Sequence, residues 1–109
     1  ASKDHAVCRM EIAENHLNAA SAVQGGAIFT LADTAFGMAA NAEGKLTVSL
    51  SNTISYLKST KGKVLIATAR RISTTKRICT YEVAVMDDLG ELIAKMTGTG
   101  YIKGERIAE

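Results

Sequence analysis

The chain has 109 residues, a formal net charge of +2 at pH 7 and only two cysteines, and 47% of its residues are hydrophobic. This length fits one domain with a substantial hydrophobic core and is too short for two, so residues 1–109 are predicted to form a single domain. The small net charge does not by itself indicate a nucleic-acid partner, and no apolar run approaches the roughly 18 to 20 residues that cross a bilayer.

The chain begins with a predicted strand and a loop. Residues 6–13 alternate between two faces, with Cys8, Met10 and Ile12 on one of them, which is typical of a half-buried strand. Residues 14–21 are rich in asparagine and small side chains and are predicted to form a loop. The chain shows no charged and then apolar signal segment at its start.

A long apolar helix follows the loop. One helical face is given by the spacing of Ile28, Leu31, Ala32, Ala35, Phe36 and Ala39. The opposite face is also largely apolar, so the helix is predicted to be buried nearly all round. Gly44 fits the end of this helix.

After residue 44 the hydrophobic period changes from helical to two. The first strand of this part, residues 45–56, is predicted to carry a hydroxyl-lined face of alternating Ser and Thr residues. The remaining segments are a turn at 61–63, a strand at 64–72, a hairpin at 73–76, a strand at 77–86, a hairpin at 87–90, a strand at 91–103 and a tail at 104–109. Gly98 and Gly100 inside the last strand indicate a bulge or a group packed closely against the backbone.

This layout of one strand, one helix and four strands joined by tight turns predicts an α+β fold with a five-stranded antiparallel sheet. A single helix cannot cover both faces of five strands, so the sheet is expected to curl around it. A second copy of the chain is expected to close the edge or face that stays open.

Asp33 is the clearest candidate for chemistry, because it is the only charged residue between Glu14 and Glu43. A carboxylate within an apolar helix is costly unless it has partners or a task. One alternative is that Asp33 reaches solvent or a surface lysine. The other is that it acts as a general base or nucleophile. Gly25 and Gly26 would leave the backbone N–H groups of the helix start open to a carbonyl or anion, or would serve close packing only.

Other polar residues allow similar pairs of interpretations. Asn18 and Gln24 could orient a water or a carbonyl, or cap a loop, and Ser49 lies outside any serine-hydrolase motif. The basic clusters at Lys58, Lys61 and Lys63 and at Arg70, Arg71, Lys76 and Arg77 are either solvated hairpin ends or a cradle for a polyanion such as nucleotide phosphates. Sparse aromatic residues argue against RNA.

Cysteine and histidine usage excludes a zinc pattern. Cys8 and Cys79 do not form a CxxC motif, and the chain contains only two histidines. Two buried thiols in a reducing cytosol are the simplest interpretation, which predicts a cytoplasmic protein.

In chain order, these residues resemble the PaaI-like acyl-CoA thioesterases of the hotdog superfamily. That family has the motif H-x-N-x-x-G-x-x-H-G-G-x-x-x-x-L-A-D, and the chain matches it from His16 through Asn18 and the Gly25-Gly26 pair to Asp33. The resemblance extends through the strand at 48–58 to the closing region at 98–100. Two positions depart from the motif, since Gln24 replaces a histidine and Ser21 replaces a glycine.

The resemblance implies a sheet wrapped around the long helix, a homodimer with its active sites at the interface, and further association into tetramers. In the family's arrangement the Gly25 N–H polarises the thioester carbonyl, and Asp33 of the other subunit attacks or activates water. Asn18 would help to place the water or thioester, Gln24 would donate a hydrogen bond where relatives have histidine, and Ser49 would assist hydrolysis. Coenzyme A contacts would come from Tyr56, Ser73, Thr74, Thr75, Lys76, Arg77, Ile78 and Tyr101, with Lys76 and Arg77 as partners of the phosphates.

The resemblance therefore implies an acyl-CoA thioesterase that needs no cofactor, binds no nucleic acid and does not enter a membrane. The alternative is a non-catalytic module that binds or senses acyl-CoA, which the missing histidine makes conceivable. A hotdog dehydratase is a weaker alternative, because those enzymes rely on a histidine and none lies near the helix start. The sequence leaves the acyl preference open.

Overall fold

The computed structural model describes residues 5–13, 25–42, 45–60 and 62–106. Its elements, in chain order, are β1 (His5–Glu11), α1 (Gly25–Ala40), β2 (Lys45–Tyr56), β3 (Val64–Thr74), β4 (Ile78–Asp87) and β5 (Leu92–Arg106).

The five strands form one sheet in the order β1-β3-β4-β5-β2, and every neighbouring pair is antiparallel. Short hairpins join β3 to β4 and β4 to β5, whereas β1 and β2 form the two edges. The predicted α+β fold with a five-stranded antiparallel sheet and one helix is therefore confirmed.

The sheet carries α1 on one face, and the core lies between them. The buried face of α1 is the predicted one, made of Ile28, Leu31, Ala32, Ala35, Phe36 and Ala39. The prediction that α1 is buried all round is wrong for a single protomer. Thr30, Thr34 and Met38 on its outer side are exposed, because one sheet covers only one side of a helix.

The two glycines within β5 make room for the core aromatic of α1. A Cβ atom on either Gly98 or Gly100 would lie 3.3 Å from the ring of Phe36. Phe36 in turn meets Tyr81 edge to face, with 5.5 Å between the ring centroids. The close packing predicted at these two glycines is confirmed.

A bulge in β2 breaks the predicted hydroxyl-lined face. Ser49 pairs with Gly100 and Ser51 with Thr99, so Leu50 is left without a partner across the ladder. Because Gly100 faces α1, its partner Ser49 shares that side. The extra residue reverses the alternation, and the later hydroxyl residues of β2 from Ser51 onward point away from α1.

Two strands, β3 and β5, continue past their predicted ends, while the bounds of β1 and β4 and the start of β5 differ from the predictions by one or two residues. Ser73 and Thr74 end β3 and do not belong to the hairpin, and β5 continues to Arg106 through the segment predicted as a tail. Pairing explains both extensions, since Thr74 lies opposite Cys79 and Arg106 opposite Lys45. A neighbouring strand supplies the hydrogen bonds that the local sequence alone does not predict.

The sheet has two ends of different character. At the helix-start end, Tyr56 pairs with Ala94 and contacts the first residue of α1. At the hairpin end, Tyr101 pairs with Ile78 beside the β3–β4 turn. Ala94 and Tyr101 lie seven positions apart along β5, which corresponds to roughly 23 Å of strand.

Candidate active site

The beginning of α1 is in contact with the end of β2. The Tyr56 hydroxyl donates a hydrogen bond of 3.0 Å to the carbonyl oxygen of Gly25. A Cβ atom on Gly25 would lie only 3.3 to 3.5 Å from the nearest atoms of the Tyr56 side chain, so the ring rests directly against the glycine. The absence of a side chain at position 25 permits this contact.

A cavity of about 490 Å³ opens beside this helix start. Its lining combines the first turn of α1 with the segment that follows β2, and consists of Gly25, Ile28, Tyr56, Leu57, Lys58, Ser59 and Thr60. The N-terminus of a helix carries a partial positive charge and points backbone N–H groups outward, so this wall suits a carbonyl oxygen or an anion.

Carboxylates in and beside the β4–β5 turn contact residues 58–60, which form the side of the cavity called the outer wall below. The Thr60 hydroxyl donates to Asp87 at 2.6 Å, and the backbone N–H groups of Leu89 and Glu91 donate to the other oxygen of the same carboxylate. Lys58 pairs with Glu91 at 2.8 Å. This ion pair balances the charge of Lys58, so the outer wall presents no uncompensated positive charge at this position.

Asp87 was not singled out from the sequence, although it is the buried charged residue of the described part of the chain. The hydrogen bond from the Thr60 hydroxyl lowers the pKa of its carboxyl, and the N–H groups of the turn and the charge of Lys58 lower it further against the opposing effect of burial. The Asp-Asp-Leu-Gly turn was the available signal, because an aspartate that begins a turn commonly accepts N–H bonds from the residues after it.

Asp33 lies on α1, half-buried and eight residues after Gly25. With a rise of about 1.5 Å per residue, the two positions are roughly 12 Å apart along the helix axis. Within the described ranges, the side chain of Asp33 has no hydrogen-bond or ion-pair partner. Its side chain and the backbone N–H of Gly25 in the same protomer cannot act on one carbonyl group.

The other predicted residues lie away from the cavity. Ser49 is exposed, on the helix side of β2 near the hairpin end, where Tyr101 pairs with Ile78. The turn there is closed by hydrogen bonds between Thr75 and Ile78, and the N–H of Ile102 donates to the carbonyl of Arg77 at 2.7 Å.

Of the predicted site residues that the structure describes, one protomer therefore brings only Gly25 and Tyr56 to the cavity, whereas Ser49, Ile78 and Tyr101 lie near one another at the hairpin end. Ser73, Thr74, Thr75, Lys76 and Arg77 are exposed at the hairpin end. Asn18 and Gln24 lie outside the described residues, so the roles expected for them remain predictions.

Neither cysteine has the surroundings of a nucleophile. Cys79 is buried on β4, opposite Gly100 of β5, and desolvation raises the pKa of its thiol despite opposing hydrogen bonds to the backbone. Burial also raises the pKa of the Cys8 thiol, which contacts the Met38 sulfur at 3.1 Å. A raised pKa keeps both side chains in the thiol form, which is the unreactive one.

Comparison with known proteins identifies the family. The family model described as Thioesterase superfamily matches residues 21–94. The chain belongs to the thioesterase superfamily. It is 31% identical over 103 residues to the acyl-coenzyme A thioesterase PaaI of Escherichia coli K12, covering 94% of this chain and 74% of that protein.

A second relative, from Archaeoglobus fulgidus, is 38% identical over 98 residues. This match covers 89% of the chain and 64% of the archaeal protein, so the chain spans about two thirds of that relative's length.

Two solved structures superpose on nearly the whole chain. A hypothetical thioesterase protein with coenzyme A from Streptococcus pneumoniae TIGR4 gives a TM-score of 0.90 at 27% identity and covers 96% of this chain and 83% of that chain. A Streptococcus mutans UA159 protein bound to acetyl CoA gives a TM-score of 0.89 at 31% identity. This match covers 96% of this chain and 86% of that chain. The PaaI-like hotdog fold that the sequence motif implied is confirmed. No helix within the described ranges is long and apolar enough to cross a membrane.

Proposed function

We propose that this thioesterase-superfamily protein hydrolyses an acyl-CoA to the free acid and coenzyme A, at sites built from two protomers. Family membership and the coenzyme A or acetyl-CoA bound to similar folds support the substrate class. The observation that carries the proposal is the cavity at the start of α1, which is lined by Gly25, the first residue of the helix.

Hydrolysis needs two groups that meet at the carbonyl carbon. The Gly25 N–H would stabilise the negative charge that develops on the carbonyl oxygen. A carboxylate would remove a proton from the attacking water, or attack the carbon itself and form an anhydride that water then cleaves. Coenzyme A leaves as a thiolate, which is a good leaving group, so the reaction requires no metal ion.

The spacing within α1 supports the proposal that this carboxylate comes from the other protomer. Asp33 lies roughly 12 Å along the axis from Gly25 of its own chain, too far to share a carbonyl group with it. Two helices that run antiparallel across a two-fold axis would instead place each Asp33 beside the partner's helix start.

The free edge of the sheet offers a surface for such a dimer. β2 is an edge strand of 12 residues, and residues 46–57 contain neither proline nor a charged side chain. Natural edge strands that stay unpaired usually carry such residues. Val48 and Leu50 on this strand are also exposed. We therefore propose that β2 pairs with its own copy in an antiparallel arrangement.

Antiparallel pairing of β2 would also unite the residues that one protomer keeps apart. It reverses one sheet relative to the other, so the helix-start end of one protomer lies near the hairpin end of its partner. Ser49 and Tyr101 at the hairpin end would then approach the cavity at the partner's Gly25. Lys76 and Arg77 would provide positive charge for the phosphates of coenzyme A.

Three expected features complete the proposal. Asn18 and Gln24 would orient the thioester or the water by hydrogen bonds. Two dimers would associate into a tetramer, and the protein would act in the cytoplasm.

Release of free thiol from a panel of aromatic and aliphatic acyl-CoAs tests the activity directly. The wild-type protein is expected to turn over at least one member, and Asp33→Asn is expected to lower kcat by about 10² to 10⁴. Binding of coenzyme A should survive this substitution, because only the reacting group changes. Tight acyl-CoA binding without turnover by the wild-type protein would contradict the proposal and favour a binding module.

A further inference from the structure

Tyr56 is the side chain that connects the sheet to the first residue of α1. Its hydroxyl donates to the carbonyl oxygen of Gly25 at 3.0 Å, and its ring packs against the same residue. Helix geometry already directs the N–H of Phe29 at this carbonyl, so the phenol occupies the second lone pair of the oxygen. The ring itself lies on β2, held by the pairing of Tyr56 with Ala94.

The helix start has an intrinsic reason to need this connection. Gly25 and Gly26 are adjacent, and glycine has more backbone freedom than any other residue. Helix ends also fray, because their terminal backbone groups lack partners within the helix. A backbone N–H that polarises a carbonyl must hold its direction, since preorganisation makes such a donor effective. A hydrogen bond to the neighbouring carbonyl restricts both the torsion angles of Gly25 and the fraying.

We propose that Tyr56 is a positioning residue for catalysis, whose hydroxyl fixes the orientation of the Gly25 peptide at the start of α1. The inference rests on the proposed function, because it presumes that the Gly25 N–H stabilises the reacting oxygen. It differs from the role that the family resemblance implies, in which Tyr56 contacts coenzyme A. In this structure the hydroxyl already binds the protein itself.

The exposure of Tyr56 agrees with this division of roles. The residue is 52% exposed and lines the cavity, while its hydroxyl is directed to the helix. Loss of the hydroxyl should therefore leave the ring and the cavity wall in place. Loss of the whole ring would change both.

Tyr56→Phe is the direct test, because it removes the hydroxyl and keeps the ring. We expect kcat to fall by about threefold to tenfold, with an unchanged KM for acyl-CoA and an unchanged Kd for coenzyme A. Tyr81→Phe is the matched control. The hydroxyl of Tyr81 lies 3.5 Å from the carbonyl oxygen of Ala39, near the opposite end of the same helix. This control is expected to keep the wild-type kcat.

Amide hydrogen exchange gives a second readout that does not depend on turnover. The N–H of Phe29 is expected to exchange faster in Tyr56→Phe than in the wild-type protein, and at the wild-type rate in Tyr81→Phe. Unchanged exchange at Phe29 would show that the hydroxyl does not restrain the helix start and would overturn the inference, even if the protein hydrolysed no substrate on the panel.

The kinetic outcomes separate the remaining interpretations. A rise in KM or Kd with unchanged kcat in Tyr56→Phe would show a substrate contact and overturn the positioning role. Equal losses of kcat in both variants would show a general loss of helix stability, and an unchanged kcat would show that the hydrogen bond is dispensable. A wild-type protein inactive on every acyl-CoA would refute the proposed function. The exchange experiment would still show whether the hydrogen bond from Tyr56 to Gly25, here called the tether, restrains the helix start.

Discussion

The two ends of the sheet differ in what they offer a ligand. The helix-start end has a cavity, a helix N-terminus and a lysine whose charge is balanced by Glu91. The hairpin end has exposed hydroxyl residues together with Lys76 and Arg77. One end is suited to a neutral thioester carbonyl and the other to phosphate groups.

This difference indicates how a small fold can bind a long substrate. An acyl-CoA has its reacting carbonyl at one end and its charged nucleotide at the other. The two matching regions lie roughly 23 Å apart along β5 within a protomer. Antiparallel association of two protomers would place complementary ends side by side, so each substrate would contact both chains.

Removal of the Gly25 N–H, at the helix-start end, is expected to cause a large loss of catalytic activity. Gly25→Pro deletes this donor, and proline is well tolerated in the first turn of a helix. We expect kcat for acyl-CoA hydrolysis to fall by about 10² to 10³, the usual cost of losing an oxyanion donor. Steady-state kinetics on the best substrate of the acyl-CoA panel would measure this fall in kcat.

Gly25→Ala is the control for this experiment. It introduces a Cβ atom that would lie 3.3 Å from the Tyr56 ring but keeps the N–H. Its loss of kcat is expected to be at least tenfold smaller than that of the proline variant, because the donor remains. Equal losses in the two variants would show that packing against Tyr56, and not the N–H, is what activity requires.

The hairpin end is expected to affect binding more than chemistry. Lys76→Ala and Arg77→Ala should each raise KM by about threefold to tenfold with little change in kcat, since they remove attraction for phosphate. The effect should shrink as salt concentration rises. Lys63→Ala, an exposed lysine at the opposite end, is the matched control and should leave KM unchanged. A loss of kcat in place of a rise in KM would place these residues at the reacting carbonyl.

The smallest expected effect concerns stability at the outer wall of the cavity. The pKa of Asp87 is lower in the folded protein than its ordinary value of 3.8, chiefly because of the Thr60 hydroxyl. A depressed carboxyl pKa contributes stability above pH 3.8, and this stability is lost as pH falls through the lower folded value. Asp87→Asn should therefore lower Tm at pH 7. The difference in Tm between this variant and the wild-type protein should become smaller as the pH falls below 3.8.

Thr60→Val tests the stabilising effect of the Thr60 hydroxyl separately from that of the turn N–H groups. It removes the leading cause of the lowered pKa and leaves the two backbone N–H groups on Asp87 in place. Thermal unfolding followed by circular dichroism should place its Tm between those of the wild-type protein and Asp87→Asn at pH 7. A Tm deficit of Asp87→Asn that stays constant down to pH 2 would contradict the assignment.

Local sequence patterns predicted most of the fold because hydrophobic period decides which face of an element is buried. The buried face of α1 and the close packing at Gly98 and Gly100 follow from such patterns. The bulge at Leu50 was not predicted, because it depends on the register between β2 and β5. The sequence of one strand does not determine which strand it pairs with, or in which register. The extension of β5 to Arg106 has the same cause, since its pairing partner Lys45 lies far away in the chain.

The candidate site was predicted less completely than the fold. Asp33 and Gly25 stood out because a charge and a glycine pair are conspicuous within an apolar segment. The tether from Tyr56 to Gly25 joins residues 31 positions apart, and the support of Thr60 by Asp87 joins residues 27 positions apart. Such contacts are set by the sheet topology, so residue types alone could not identify them.

Mixing of two inactive variants tests most directly whether each site uses Gly25 of one protomer and Asp33 of the other. Gly25→Pro and Asp33→Asn would each retain about 1% of the wild-type kcat or less. A dimer with one chain of each kind holds one intact site. After unfolding and refolding of an equal mixture, we expect about a quarter of the wild-type rate, because half of the dimers are mixed and each mixed dimer has one intact site of two. A mixture no more active than its two components, with mixed dimers shown by mass spectrometry, would contradict it.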